Sequence, residues 1–258
     1  MGLPALASGF SVQLKNTFAR PTFQFVLFFQ PLFFAVVTFY IFRRSGQELL
    51  PYLLAGSGLM NLWTSVVFSS AGDIDRERFS GNLESLLIAP APFYMTMLAK
   101  VLANTVLGLA TVALTAAYAR IVCGVPLRVA HPALVFAALV LVSMSFVAVA
   151  MLMAAIFTLS RNSRGLINGL EFPIFLVCGF LFPVEILPAW TRPISYAMLP
   201  TWGVRMLRGA LETNPPAGAL LTAAALVVGL GLIYWALSVW LFQVIERRVR
   251  VRGDLATH

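Results

Sequence analysis

Long apolar runs separated by short polar links make up most of this sequence. Six of the runs are about 20 residues or longer, and about 20 residues of helix cover the roughly 30 Å of hydrocarbon in a bilayer. We predict helices because an open sheet cannot satisfy its backbone groups in lipid. The predicted spans cover residues 23–42, 49–71, 93–119, 132–159, 166–184 and 219–245.

The first 20 residues follow a different pattern, in which apolar positions recur every three or four residues. This spacing places the apolar side chains on one face of a helix, and Gln13 and Lys15 fall between them. We predict an amphipathic helix at the membrane surface over residues 1–20, rather than a signal peptide. The apolar positions are Leu3, Leu6, Phe10, Leu14 and Phe18.

Composition favours a membrane protein over a soluble one. The chain is 60% hydrophobic and 11% charged, whereas soluble domains carry about 25% charged residues. We therefore expect one all-α integral membrane domain over residues 1–258, surrounded by membrane lipid. The net charge of +8 fits Lys and Arg in cytoplasmic links beside anionic headgroups. Nucleic acid is not an expected partner, because no basic patch alternates with exposed aromatic residues.

The distribution of Lys and Arg predicts the orientation. With both termini on one side, that side carries eleven of these residues and the other side seven, which places the termini in the cytoplasm of a multi-pass cell (inner or plasma) membrane protein. Residues 72–92 are then cytoplasmic and residues 185–218 external. The external stretch is rich in apolar residues, with Trp190 and Trp202 among them. This favours a hairpin of short helices that re-enters the outer leaflet.

Residues 72–92, the charged link, hold six of the chain's 28 charged residues. Asp73 is the predicted N-cap of a short helix there, and Pro90 is its stop signal. Phe79, Leu83 and two further leucines share one stripe of this helix, while acidic residues lie on another side. From the residues alone, the helix is either an ordinary solvated link or a surface that docks on a soluble partner.

Three stretches of this sequence resemble ABC-2 type transporter permeases. The segment Arg76–Pro90 resembles the family signature of Arg-Glu, then Gly-Thr-Leu-Glu, Leu-Leu and Pro, with Asn82 in place of the common Thr. Asn168–Pro183 and the following Leu187–Trp190 resemble the fifth span and external hairpin. Arg20-Pro21 before the first span is a weaker match.

The resemblance implies that the charged link includes a coupling helix for a separate ATP-binding subunit. Glu77, Arg78 and Glu84 would contact the ATPase, and the apolar residues would pack on the membrane subunit. The chain has no Gly-x-x-x-x-Gly-Lys-[Ser/Thr] phosphate loop, so ATP and Mg are expected on the partner and no cofactor on this chain. The coupling residues are Arg76, Glu77, Arg78, Phe79, Gly81, Leu83, Glu84 and Leu87.

The resemblance further implies an exporter in which two permease subunits, identical or related, form the pathway. Its cargo would be an amphipathic drug, a lipid or a glycan. The polar residues of the second span either hold neighbouring helices together through hydrogen bonds or line the transport pathway. These residues are Ser57, Asn61, Thr64 and Ser65.

Glu171 is an acid inside a predicted span, with Asn168 three residues earlier on the same face. A charged side chain there costs about 2.5–3.5 kcal/mol on insertion scales. The pair is either a polar node on the transport route or an interhelical hydrogen bond. A stand-alone secondary transporter or channel driven by ions through Glu171 is the alternative function. The two histidines lack metal-ligand spacing, and no nucleophile and base stand together, so we expect neither a metal site nor catalysis.

Overall fold

A computed structural model describes residues 2–19, 21–42, 53–82, 86, 92–126, 129–159, 163–181 and 183–252. This part of the chain is helical between its turns and contains no strand. The all-α class is therefore confirmed. In chain order the helices are α1 (Gly2–Phe18), α2 (Pro21–Phe42), α3 (Leu59–Trp63), α4 (Ser69–Phe79), α5 (Phe93–Ile121), α6 (Pro132–Leu159), α7 (Ser163–Val177), α8 (Arg192–Ala197), α9 (Leu199–Leu211) and α10 (Ala217–Arg252).

Three helices of the described chain are long and apolar enough to cross a membrane. They are α5, α6 and the Ala217–Arg247 part of α10, with 29, 28 and 31 residues. The Leu27–Ile41 part of α2 is a shorter apolar helix. These helices confirm a helical membrane protein, and the full six-span arrangement stays a prediction.

The predicted second span is one continuous helix over residues 53–79, called the 53–79 helix below. The π-helical segments Leu53–Gly58 and Thr64–Phe68 flank α3, and α4 follows without a break. The predicted N-cap at Asp73 is therefore wrong: this residue lies inside α4, because the backbone before it is already helical at Phe68, with φ −76° and ψ −35°. The helix ends before Gly81, whose φ of +70° a side chain would disfavour.

Helix α6 lies at the centre of the bundle, where it packs along α10 and also contacts α9, α4 and α5. Aromatic pairs pack inside the bundle. The ring of Trp63 meets the ring of Phe146 edge-on, with centroids 5.1 Å apart, and Phe175 meets Phe180 in the same way at 5.5 Å. All four side chains are fully buried, and such edge-to-face pairs stabilise a core beyond their buried area.

The N-terminal amphipathic helix is present as α1, which packs along α5. Its contact face is not purely apolar, because Gln13 and Thr17 are buried while Val12 and Phe18 are exposed. The close approach of the two helices occurs at Gly9, where an added Cβ would lie 3.1 Å from the Cβ of Ala99. Its position at a membrane surface stays a prediction.

Short helices form most of the stretch that the sequence predicts as an external hairpin, and its external position stays a prediction. A 3₁₀ turn at Val184–Ile186 precedes α8 and α9. Helix α9 packs against α6 and α10, and most of its residues are buried. Trp202 donates its indole N–H to the carbonyl of Tyr196 at 2.8 Å, whereas Trp190 is 74% exposed. The re-entry of this hairpin into a leaflet stays a prediction.

Candidate functional site

A buried carboxylate, Asp73, lies where the charged link begins, and it accepts hydrogen bonds from three side chains. Gln13 Nε2 donates to Asp73 Oδ2 at 2.6 Å, and Asn104 Nδ2 donates to the same oxygen at 3.0 Å. The guanidinium of Arg76 forms an ion pair with Oδ1. Asn104 Nδ2 also contacts Ser70 Oγ at 3.1 Å. We call these five residues the polar cluster.

The polar cluster joins three separate elements. Gln13 belongs to α1, Asn104 to α5, and the other three residues to α4. Asp73 is only 3% exposed, and a buried carboxylate is tolerated only where hydrogen bonds or opposite charges compensate its lost hydration. The compensation here comes from all three elements, so a movement that separates any of them exposes an uncompensated charge.

Two further contacts fasten the charged link to the bundle. Lys100 on α5 forms an ion pair with Glu77, and both side chains are largely buried. Arg78 Nη2 donates to the carbonyls of Thr158 at 2.8 Å and Phe157 at 3.2 Å. These carbonyls belong to the last turn of α6, where the helix itself supplies no partner.

The predicted coupling residues thus divide into two groups. Glu77 and Arg78 bind membrane helices of their own chain, whereas Arg76, Phe79 and Gly81 are exposed at the end of the 53–79 helix. Phe79 is 70% exposed, which corrects the expectation that it packs on the membrane subunit. Leu83, Glu84 and Leu87 lie outside the described residues.

Two polar residues of the second span, Asn61 and Ser65, contact α5 through their side chains. Ser57, Asn61 and Ser65 are 0%, 3% and 7% exposed. Asn61 Nδ2 donates to Thr115 Oγ1 at 3.3 Å, and Ser65 Oγ donates to the carbonyl of Asn104 at 2.9 Å. These contacts agree with the packing interpretation, and the Ser65 contact reaches a member of the polar cluster.

Thr64 faces a different neighbour. Its hydroxyl donates to Glu171 Oε1 at 2.7 Å, which connects the 53–79 helix to α7. Glu171 is half-buried. The side chain of Asn168 lies outside the described residues, so the predicted bond between Asn168 and Glu171 stays a prediction. The contact with Thr64 is the interhelical hydrogen bond that the second interpretation of Glu171 requires.

A model of the ABC-2 type transporter family matches residues 7–211. The chain belongs to the ABC-2 transporter membrane family. Its members are transport components that typically work with an ATP-binding subunit. No curated protein matches the chain as a relative. The family match runs from α1 to the last residue of α9 and therefore includes the charged link, the polar cluster and the external helices.

The sequence patterns did not indicate three of the residues that hold the charged link to the bundle in this ABC-2 protein, namely Lys100, Asn104 and Gln13. Lys100 and Asn104 lie one helical turn apart near the start of the mostly apolar α5, and that pattern could have indicated a polar contact inside the bundle. No comparable signal marks Gln13, because it occurs among other polar residues of α1. Only the packing of α1 on α5 shows that its amide is buried.

Proposed function

We propose that this chain is the permease subunit of an ATP-driven exporter, and that a separate ATP-binding subunit docks on the exposed residues Arg76, Phe79 and Gly81 of the charged link. The family supports a transporter component, and the geometry of the charged link supports the coupling role. The observation that carries the proposal is the fastening of this link to α1, α5 and α6 through Asp73, Glu77 and Arg78.

If the ATP-binding subunit displaced Arg76, Phe79 and Gly81, the membrane helices would move with them, because the contacts described above hold the link to those helices. The ion pair of Glu77 transmits it to α5, and the Arg78 contact transmits it to the end of α6. The polar cluster transmits it to α1. Such a junction suits a protein that converts closure of two ATPase domains into a tilt of membrane helices, because rigid packed contacts carry coupling between distant sites.

The proposed membrane arrangement has six spans and two cytoplasmic termini. In it, α1 lies at the cytoplasmic surface and residues 185–218 lie outside. A second permease, identical or related, completes the pathway for an amphipathic drug, lipid or glycan that moves outward. ATP and Mg bind to the partner ATPase, and this chain supplies no catalytic group.

Copurification tests the docking surface. A tagged chain is coexpressed with the ATP-binding protein encoded beside it, and retention of that protein is measured after membrane extraction. Phe79→Asp should reduce retention at least about tenfold, because a charge replaces an exposed apolar side chain at the proposed contact. Ile121→Asp is the control: Ile121 is 79% exposed and is the last residue of α5, beyond the predicted span and far along α5 from Lys100, which contacts the charged link.

Equal retention by the wild type and both variants would remove the docking surface from the proposal. Transport by the purified chain in vesicles without any nucleotide would instead support the ion-driven alternative through Glu171. The expected result is transport that requires ATP and that is lost when the ATP-binding protein is omitted.

A further inference from the structure

A small pocket of about 30 Å³ lies where α2, the 53–79 helix and α5 meet. A single water molecule requires about 10–15 Å³ of such space, so the pocket has room for one group of that size or a little more. Its inner wall is buried and is formed by Leu27, Pro31, Asn61, Ser65 and Thr111. We call it the oxygen-lined pocket, because these residues present several oxygen atoms within an otherwise apolar bundle.

One oxygen of the inner wall is buried and has no hydrogen bond. Asn61 is 3% exposed, and its Nδ2 donates to the carbonyl of Ser57 at 2.9 Å and to Thr115 Oγ1 at 3.3 Å. Within the part of the chain that the structure describes, its Oδ1 has no hydrogen-bond partner. A buried polar atom in this situation is normally satisfied by a bound water or ion.

The proline inside α2 leaves a second oxygen at the pocket without its usual donor. Pro31 has no N–H, so the carbonyl of Leu27, four residues earlier in the same helix, cannot accept the normal helical hydrogen bond. Both residues line the oxygen-lined pocket. Backbone carbonyls released at interruptions of membrane helices are a recurring ligand for Na⁺. The pocket therefore lies beside a carbonyl of the kind that such an ion uses.

The two hydroxyl groups of the inner wall have only acceptor capacity left for a guest. A hydroxyl carries one hydrogen and two lone pairs. Ser65 Oγ donates its hydrogen to the carbonyl of Asn104 at 2.9 Å, and Thr111 Oγ1 donates its hydrogen to the carbonyl of Gly108 at 2.7 Å. Both hydrogens of the Asn61 amide are also used. The inner wall therefore offers side-chain acceptors and no side-chain donor.

The mouth of the pocket adds a negative charge close by. Thr64 lines the pocket beside Gln30 and Ser69, and all three are half-buried. The Thr64 hydroxyl donates to Glu171 Oε1 at 2.7 Å, so a carboxylate lies one hydrogen bond beyond the wall. The described part of the chain holds no group of three His, Cys, Asp or Glu side chains that could bind a metal. Neutral oxygens with one carboxylate nearby suit a monovalent cation better than a divalent or transition metal.

We infer that the oxygen-lined pocket binds one monovalent alkali cation, Na⁺ or K⁺. Its ligands are Asn61 Oδ1, the hydroxyl oxygens of Ser65 and Thr111, and the carbonyl of Leu27. A cation suits the pocket better than a water molecule, because a water also needs donors for its own lone pairs and the inner wall provides none. The bound cation would tie α2 to the 53–79 helix and α5. The inference goes beyond the proposed function, since this role needs neither an ATPase nor a cargo, and its failure would leave the exporter proposal unchanged.

Thermal unfolding of the purified full chain in a neutral detergent measures the binding. The chain is compared in sodium, potassium and choline chloride at equal ionic strength, so that screening of surface charges is the same. Choline is too large for the pocket. We expect Na⁺ or K⁺ to raise the thermal midpoint saturably by about 4 °C or more above choline. A rise with one ion alone assigns that ion, and a rise with both assigns an unselective alkali site. Equal midpoints in the three salts would overturn the inference.

Variants of one threonine place the ion in the pocket. Thr111→Val removes a ligand oxygen at nearly constant volume and should raise the ion concentration for a half-maximal shift at least tenfold. Thr111→Ser keeps the oxygen and should retain most of the binding. Thr105→Val is the matched control, because Thr105 is equally buried in α5 and also donates to a carbonyl of its own helix, that of Val101 at 2.8 Å, but lies outside the pocket. It should leave the ion dependence unchanged.

A backbone variant and a direct binding measurement complete the test. Pro31→Ala supplies an N–H that can bond to the carbonyl of Leu27, so this variant should also weaken ion binding at least tenfold. Equilibrium binding of radioactive sodium, or of rubidium in place of K⁺, should saturate near one ion per chain and does not depend on how stable a variant is. Absence of saturable binding to the wild type, or equal affinity of Thr111→Val and Thr105→Val, would refute the site.

Discussion

The amide of Gln13 donates a 2.6 Å hydrogen bond to the carboxylate of Asp73, across 60 positions of sequence. This contact joins the N-terminal helix α1 to the start of the charged link, at a point where both side chains are buried. The contact therefore fastens α1 to the helix that carries the start of the charged link.

Removal of the Asp73 carboxylate should destabilise the bundle. Asp73→Ala leaves the buried amides of Gln13 and Asn104 without their shared acceptor, at a cost of about 1–3 kcal/mol for each stranded group. We expect the thermal midpoint of the detergent-solubilised chain to fall by at least about 4 °C. Asp73→Asn keeps an acceptor oxygen and should cost less. A fall no larger than that of Glu212→Ala, which removes an exposed acid, would contradict this role.

The ion pair between Glu77 and Lys100 should be recoverable by a charge swap. Glu77→Lys and Lys100→Glu each place like charges together in a partly buried site, and each should reduce ATP-dependent transport several-fold. The double variant restores opposite charges and should recover most of the activity, with a coupling of about 1 kcal/mol or more in a double-mutant cycle. Purely additive losses would show that the pair does not connect the link to α5.

The hydrogen bond between Thr64 and Glu171 allows the two interpretations of Glu171, a group on the transport route or a structural hydrogen bond, to be tested separately. Glu171→Gln keeps an acceptor oxygen for the Thr64 hydroxyl, so folding and copurification of the ATPase should be preserved. If Glu171 lies on the transport route, transport by this variant should fall about tenfold; unchanged transport would reject that role. Thr64→Val removes the donor and should lower the thermal midpoint, which reports the structural part of the contact separately.

Close backbone contact at Gly56 should make this position intolerant of any side chain. An added Cβ would lie 2.7 Å from the carbonyl oxygen of Phe180, and this backbone atom cannot rotate away. Gly56→Ala should therefore cost about 1–3 kcal/mol. Gly229→Ala is the control, because nothing lies within 4 Å of the added Cβ in α10 and alanine favours helix by up to about 1 kcal/mol. Equal thermal midpoints for the two variants would contradict this packing.

Several features of the site could be read from local patterns. The helical class, the three long apolar helices and the placement of charge between residues 72 and 92 follow from hydropathy and composition, which depend only on which solvent each segment prefers. The exposed Arg76 and the half-buried Glu171 also follow from their type and position. The assignment of Asp73 as an N-cap failed because the chain stays helical through Phe68, where packing of the 53–79 helix on α5 and α6 overrides the local start signal.

Hydropathy and residue motifs were enough to identify a helical membrane protein of the ABC-2 family with one concentrated charged link. The length of each apolar segment and the family motif in residues 76–90 are local properties of the sequence, so both can be recognised without knowledge of the fold. The packing of the helices, which no local pattern reveals, brings Gln13 and Asn104 to Asp73, places Arg78 at the end of α6, and puts Arg205 and Arg208 beside a cavity with α10. Those pairings join residues far apart in sequence, and a hydrogen bond or a cavity wall depends on which helices lie side by side.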